Sequence, residues 1–309
     1  MNEKIKITII IPVLNAGKTL QATINSLKKQ KYSNFEVIVM DGLSKDNTID
    51  IVNNNSDIIT TLISEKDESG ASACNKAISL STGDIIMFLY GDDYLDDNAL
   101  SLIAEVALSQ PNYNIISYGL SIEHLDNKKI IMQSYKKKNI KLTLDNILFK
   151  HVLNHCYRTK IFKKHGLLKP LYYDKTTFYS NDREFLIRLA ISNENNYVIE
   201  KILYNMTFHN NSYTGSRLNL VKIREEHIGI ADYYLEDVSL SKYKINKLVN
   251  FKSHNLALLL VWYFYKLDFI KFIHIFKKGF CLKGYIWFID IIKCPIAELT
   301  YRASVKKWM

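Results

Sequence analysis

The chain has 309 residues, 48% hydrophobic and 23% charged, with only 11 Gly and 4 Pro; this excludes disordered, collagen-like and low-complexity architectures. Such a length suits one large domain with an appendage, or two domains. Four cysteines, at 74, 156, 281 and 294, form no C-x-x-C pair, which argues against a disulfide scaffold or structural zinc and fits a reducing compartment.

Taken in order, Ile5 to Val13 is a near-continuous apolar run, the pattern of a strand buried on both faces. No small-residue cleavage site accompanies it, so no secretory signal is expected. Thr19–Gln30 places Leu20, Ile24 and Leu27 at helical spacing, and Phe35–Met40 reads as a second strand that stops at Asp41-Gly42. The alternation repeats with a helix from about Thr48, a strand near Ile58–Ile63, a helix over Ala71–Leu80 and a strand over Ile85–Leu89. Repetition of this kind predicts an α/β fold with a mostly parallel sheet and right-handed crossovers. Later, Phe185, Leu186, Leu189 and Ala190 mark one face of a helix opening near Asn181, and Tyr197–Tyr204 reads as a strand.

The formal charge of +10 is unevenly spread: residues 241–309 hold 13 basic and 3 acidic side chains, and all three tryptophans, Trp262, Trp287 and Trp308. Within this tail, Asp268, Lys271, His274 and Lys278 form one polar stripe on an otherwise apolar helix. Its longest uncharged run, Ser253–Tyr265, is 13 residues, short of the roughly 18 that a bilayer span needs. Basic, Trp-bearing amphipathic helices are expected to lie in the plane of an anionic leaflet. The alternative is packing on the rest of the chain or on a second copy as a homo-oligomer. Nucleic acid, which basic aromatic segments also bind, is not expected, because the residues follow a helical stripe.

In parallel sheets ligands collect beyond the carboxyl ends of the strands. Here those ends carry Pro12-Val13-Leu14-Asn15, Asp41-Gly42-Leu43-Ser44, Glu65-Lys66-Asp67 and Tyr90-Gly91-Asp92-Asp93, with no G-x-G-x-x-G or Walker lysine motif. Asp92 and Asp93 suit a divalent cation that bridges to substrate phosphates; alternatively they cap a helix beginning near Leu95. Gly91 would let a ligand approach closely. Asp41 can accept from a base or close an Asx-turn to Ser44, and Asp46 suits support of that turn. Asp67, with Asn75 and Lys76 in the helix that follows, offers further polar groups for a nucleotide.

Four segments in this order, IIPVLN, MDGLSKDNT, SEKDESGASACNKAISLSTGDIIMFLYGDD and SNDREFLIRLA, are together similar to the successive signatures of family 2 glycosyltransferases, inverting enzymes of the GT-A fold. The resemblance covers about residues 5–215. It implies a GT-A catalytic domain over 1–215, and the charge, tryptophans and helical stripe of the tail lead to a helical, membrane-associating or oligomerising region over 216–309. It further implies transfer of a sugar, with Mn²⁺ or Mg²⁺, from a nucleotide-sugar donor, UDP-linked by preference, to a glycan acceptor. The basic tail adds a lipid-linked oligosaccharide of surface-polysaccharide assembly as the expected acceptor, with the enzyme peripheral on the cytoplasmic face of the membrane.

The resemblance also implies residue roles. Pro12, Val13 and Asn15 would line the nucleoside, Asp41 would contact the base, and Asp92 and Asp93 would hold the cation, with Asp93 the preferred ligand. Asp182, in the first turn of its helix, would be the general base, Glu184 being the neighbour most easily confused with it. His209 would touch the metal or diphosphate, and His155 would line the acceptor pocket. Two positions depart from the pattern: Met206 stands near where relatives carry a basic residue, and Ser72 where an Asp is frequent. Arg217 or Lys76 would restore a lost positive charge. A nucleotidyltransferase is the enzyme alternative, with Asn15-Ala16-Gly17-Lys18 only a faint echo of its Gly-rich loop. A membrane-bound nucleotide-binding scaffold is the non-enzyme alternative.

Overall fold

The structure, a computed structural model, describes residues 4–66, 69–124, 129–133, 141–148, 154–169, 180–208 and 217–292. Asp67, His209 and the Arg217 side chain lie outside the described residues. The elements run β1 (Ile7–Val13), α1 (Leu20–Lys28), β2 (Phe35–Asp41), α2 (Thr48–Asn53), β3 (Thr61–Ser64), α3 (Gly70–Leu80), β4 (Ile85–Phe88). There follow β5 (Tyr94–Leu95), α4 (Ala99–Ser109), β6 (Ile115–His124), β7 (Lys129–Gln133), α5 (Leu144–Ile147), β8 (His155–Arg158), α6 (Lys160–His165), α7 (Asn181–Ile191) and β9 (Asn196–Phe208). The chain continues through α8 (Arg217–Leu235), α9 (Lys242–Tyr265) and α10 (Phe269–Lys283).

The sheet order is β3-β2-β1-β4-β8-β6-β9-β5, with β7 added to β6. The first four strands are mutually parallel, as the alternating strand and helix pattern predicts. β8 then joins antiparallel between β4 and β6, while β6 and β9 pair parallel. Ile7, Ile9, Ile10 and Ile11 of β1 have no exposed surface, because helices cover both faces of a parallel sheet and apolar side chains are buried whichever way they point. α1 offers this core Leu20, Ile24 and Leu27, all buried, which is its i, i+4, i+7 stripe.

Two local features differ from expectation. Tyr94 and Leu95 do not open a helix: they form β5 against Asn205 and Tyr204, and α4 starts only at Ala99, behind a turn in which Asp96 accepts from Asn98 N–H. Asp92 and Asp93 are therefore not its caps. Gly91, expected to admit a ligand, is instead approached by the chain itself, since a Cβ there would meet Val13 Cγ1 at 2.7 Å and Ala16 Cβ at 3.3 Å. The end of β4 thus sits tightly on the end of β1, and the Thr19 hydroxyl donates to Gly91 O at 2.8 Å.

The chain divides into two compact units. The helical one takes in Asn210–Met309 and also Leu144–Phe149, so α5 groups with the C-terminal helices, whereas a single cut after residue 215 assigns it to the sheet. Asp145 of α5 bonds Tyr243 and pairs with Lys247 at 2.5 Å, both on α9. α8, α9 and α10 share a core of Ile228, Leu256, Leu259, Leu260, Tyr263, Ile275 and the fully buried Trp287. Gly279 is required there, because a Cβ would lie 2.1 Å from the Trp287 ring. No helix among the described residues is long and apolar enough to cross a membrane.

Candidate active site

The loops after β1 and β2 are tied together by side chains the sequence singled out. Asn15, at φ +53, donates its N–H to Ser44 Oγ at 2.7 Å and accepts from Lys45 N–H at 2.8 Å. Asn tolerates this left-handed conformation better than most residues, so the residue both turns the chain and stitches two loops. Asp41 is buried, and it accepts from the N–H and hydroxyl of Ser44 and from the Ser64 hydroxyl at 2.6 Å. The Asx-turn is therefore present, and it takes up most of the carboxylate's acceptor positions. Asp46 accepts from Thr48 and from Gly17 N–H; the Thr48 hydroxyl foremost holds its carboxyl below the usual range. Pro12 is half-buried and Val13 buried at this strand end.

At the end of β4 the two adjacent acids differ. Asp93 is 2% exposed; its Oδ2 accepts from Tyr204 Oη at 2.6 Å and its Oδ1 from Thr207 N–H at 2.8 Å. Burial, together with the charge of Asp92, pushes its pKa well up against those two bonds. Each oxygen of the expected metal ligand thus accepts one bond from β9 and fastens that strand to this loop. Asp92 is half-buried. Among the described residues no three His, Cys, Asp or Glu side chains gather as a metal cage. Mg²⁺ and Mn²⁺ sites that employ one carboxylate plus substrate phosphates need no such cage, and the partly accessible Asp92 carboxylate fits that donor set.

Near the β4 end lies a small cleft lined by Cys74, Phe88, Tyr90, His155, Tyr157, Leu168, Asn181, Asp182 and Phe185. Its acids and bases are held in unusual states. Asp182 has its pKa raised by burial, against the opposing charge of Arg183 and the bond from Arg183 N–H. Burial, and next the charge of Asp182, drives the Tyr90 hydroxyl well above its ordinary value. His155, on β8, is pushed down to about 3, chiefly by burial and then by Arg183, so it is neutral at working pH.

The cleft wall is rigid for reasons legible in the packing. Tyr157 meets Phe185 edge-on at 5.3 Å, and Phe162 stacks on Phe185 at 5.0 Å. Glu184 is fully buried and forms a two-pronged pair with Arg188, 3.1 and 2.9 Å, while Arg188 also binds the carbonyls of His165 and Leu167. Glu184 is thus a structural acid that braces α7, and Asp182 is the acid of that turn that lines the cleft. Asn75 clamps Leu168, donating to its carbonyl at 2.8 Å and accepting from its N–H at 2.9 Å. Its amide is committed to shaping the cleft. Lys76 pairs with Glu65 at 2.5 Å on the surface. Ser72 N–H is capped by Ser69 Oγ, and Met206 is buried.

The model of Glycosyl transferase family 2 matches residues 8–166, slightly over half of the chain. The chain belongs to glycosyltransferase family 2. It is 32% identical over 126 residues to the Escherichia coli UDP-Glc:alpha-D-GlcNAc-diphosphoundecaprenol beta-1,3-glucosyltransferase WfgD, a match that spans 40% of this chain and 49% of that enzyme. The fold is that of S. aureus TarS in complex with UDP-GlcNAc, with TM-score 0.62 and 20% identity over 82% of this chain and 72% of that one. It is also that of the mannosyltransferase PcManGT from Pyrobaculum calidifontis in complex with GDP-Man and Mn²⁺, with TM-score 0.57, 13% identity, and 95% and 88% of the two chains covered. The GT-A architecture expected from sequence is therefore the architecture found.

For this family 2 chain, sequence reasoning passed over Tyr90, Tyr157 and Cys74 as cleft residues and Tyr204 and Thr207 as anchors of Asp93. Tyr90 carried a signal, standing just beyond a strand that ends at the ligand side. Tyr204 carried none, since its partner lies 111 residues earlier.

Proposed function

We propose that the chain is an inverting glycosyltransferase, assisted by Mg²⁺ or Mn²⁺, that moves a sugar from a UDP-sugar to a lipid-linked glycan of surface-polysaccharide assembly. The observation that carries this reading is Asp182, a carboxylate whose proton affinity burial raises, placed in the cleft beyond the strand ends of a family 2 fold. A base in that position takes the proton of the acceptor hydroxyl as its oxygen attacks the anomeric carbon. The new C–O bond forms on the face opposite the breaking bond to the diphosphate, so the configuration inverts. The proton ends on Asp182 and the electron pair leaves with the nucleoside diphosphate.

Pro12, Val13, Asn15 and Asp41 are proposed to line the nucleoside, and Asp92 rather than Asp93 to hold the cation, because the oxygens of Asp93 already accept from Tyr204 and Thr207. When bound, the cation would neutralise charge on the departing diphosphate. UDP is favoured by the TarS complex and by the donor in the E. coli relative's name; the same relative motivates a lipid diphosphate acceptor.

The C-terminal unit is proposed to rest on the cytoplasmic leaflet. Tyr265, Leu267 and Ile270 are 80%, 71% and 84% exposed, and the exposed Lys266, Lys271, Lys277 and Lys278 stand among them. Apolar side chains ringed by lysines suit an anionic bilayer surface.

The test is transfer from UDP-glucose, UDP-GlcNAc or GDP-mannose to GlcNAc-diphosphoundecaprenol, with and without chelator, using wild type, Asp92→Ala and Asp182→Asn. The expected result is one donor consumed only with metal, with transfer lost in both variants. Transfer by Asp182→Asn at the wild-type rate would overturn the reading. In flotation, wild type should rise with phosphatidylglycerol vesicles and a Leu267→Glu/Ile270→Glu variant should not; equal recovery removes the membrane part.

A further inference from the structure

His155 is held by a short buried chain of polar groups. Its Nδ1 lies 2.6 Å from Ser117 Oγ, and Ser117 Oγ lies 2.7 Å from Asn196 Oδ1. Ser117, His155 and Asn196 sit side by side on β6, β8 and β9, with Ser117 opposite His155 in one register and next to Val198 in the other. All three are nearly inaccessible, at 0%, 4% and 3% exposure. A serine hydroxyl has one proton. The Asn196 carbonyl oxygen can only accept, so the Ser117 proton goes there, and the Ser117 oxygen must then receive a proton from Nδ1. The ring is thereby fixed as the Nδ1–H tautomer, the opposite nitrogen keeps its lone pair, and the ring lines the same cleft as Asp182.

We propose that the Asn196–Ser117–His155 chain sets His155 Nε2 as a hydrogen-bond acceptor in the cleft, where it accepts from the acceptor-sugar hydroxyl next to the attacking one and so leaves the attacking hydroxyl's single proton for Asp182. This rests on the reading of Asp182 as the base. The division of labour follows from the environments of the two residues. His155 holds a pKa of about 3 because it is buried and lies near Arg183, so it accepts a hydrogen bond from the neighbouring sugar hydroxyl without becoming protonated. Asp182, whose proton affinity is raised, takes the one proton of the attacking hydroxyl. An Nε2–H tautomer would present a donor instead and could not accept from the neighbouring hydroxyl, so the sugar would turn. Two buried hydrogen bonds therefore decide how the acceptor sugar is held. Ser117 and Asn196 are positioning residues, acting only through the ring.

The decisive measurement needs no substrate. Long-range ¹H–¹⁵N correlation on the ¹⁵N-histidine-labelled full chain, with the signal of His155 assigned by its loss in His155→Gln, reads the tautomer directly. The expected spectrum has a protonated Nδ1 and an unprotonated Nε2 at neutral pH. A protonated Nε2 overturns the proposal, and does so whether or not the chain transfers sugar. Ser117→Ala should move the ring to the Nε2–H form, the usual preference of free imidazole; an unchanged spectrum also overturns it.

Kinetics then separate orientation from folding. His155→Asn keeps an amide near Nδ1 only, and should lower kcat for transfer to GlcNAc-diphosphoundecaprenol about 10–100-fold while leaving KM for the UDP-sugar unchanged. His155→Gln places an amide oxygen where Nε2 stood and should recover most of that loss. If Asn and Gln are equally impaired, the ring's role is packing and the proposal fails. If no variant and no wild type transfers sugar while the tautomer is as expected, the failure belongs to the proposed reaction.

Discussion

The loops at the ends of β1 and β2 and the cleft formed by β4, β8 and α7 treat their acids in opposite ways. In the loops, Asp41 and Asp46 are each saturated by neighbouring hydroxyls and backbone N–H groups, and Asp46 is held ionised below the usual range. In the cleft, Asp182 accepts from local backbone N–H groups, that of Arg183 foremost, and burial raises its pKa. The first arrangement lowers energy and fixes loop shape; the second costs stability and leaves a carboxylate that wants a proton. That contrast matches the proposed division between a nucleotide platform and the residue that does chemistry.

The largest effect expected from breaking the contrast is at Asp182. Asp182→Asn removes the base and should reduce transfer by about 10²–10⁴-fold, yet the protein should be at least as stable as wild type at neutral pH. The sign follows from linkage. A carboxyl whose pKa is higher in the fold than in the unfolded chain contributes stability below its unfolded pKa and loses it as pH rises through the folded value. At neutral pH the wild type carries a poorly solvated charge that the amide lacks. The acidic limb of the kcat profile should also lie above the ordinary carboxylate range, with activity rising as Asp182 deprotonates. An acidic limb at or below pH 4, or a variant markedly less stable by urea unfolding, would remove Asp182 from this role.

Next in size is the pair Asp92 and Asp93, the same contrast compressed into two neighbours. Asp93→Ala strands the Tyr204 hydroxyl and the Thr207 N–H inside the sheet and should cost about 2–4 kcal/mol, with Tyr204→Phe costing about 1–2 kcal/mol. Asp92→Ala should change stability little but lose transfer at every Mn²⁺ concentration. Urea unfolding of the three variants beside a Mn²⁺ titration reads both; a stable Asp93→Ala variant that has lost only its metal response would reverse the assignment.

Much of this could be seen in the sequence because the signals are local. The buried run Ile7–Ile11, the stripe Leu20, Ile24, Leu27, and the stop at Asp41-Gly42 each reflect neighbours within one or two turns, and the strands and helices lie where those patterns put them. The place of Asp182 in the first turn of α7 was legible because apolar residues follow it at helical spacing. The different surroundings of Asp92 and Asp93 were hidden for the opposite reason. Alternation along β4 cannot tell which of two successive acids points inward once the strand has ended, and the partners of Asp93 arrive from β9 more than a hundred residues later. Tyr94 and Leu95 were misread as a helix start for the same reason, since their strand exists only because β9 runs beside them. The tautomer of His155 is further still from local legibility: it depends on β8, β6 and β9 lying side by side in the sheet.

The smallest effect sharpens the contrast at its edge. Lys76 was expected to serve the nucleotide, and it pairs with Glu65 at 2.5 Å with both side chains close to half exposed. Exposed pairs are screened by water and lose side-chain entropy, so Lys76→Ala and Glu65→Ala should each alter stability by about 0.5 kcal/mol or less. Donor kinetics tell the two roles apart. If Lys76 turns to the diphosphate when donor binds, Lys76→Ala raises donor KM a few fold and the rise shrinks in high salt, whereas Glu65→Ala leaves KM unchanged or lowers it by releasing the lysine. If Lys76 only decorates the surface, the two variants behave alike. We expect the asymmetric result, because α3 also carries Asn75, whose clamp on Leu168 ties this helix to the cleft wall and so fixes the platform from which Lys76 reaches.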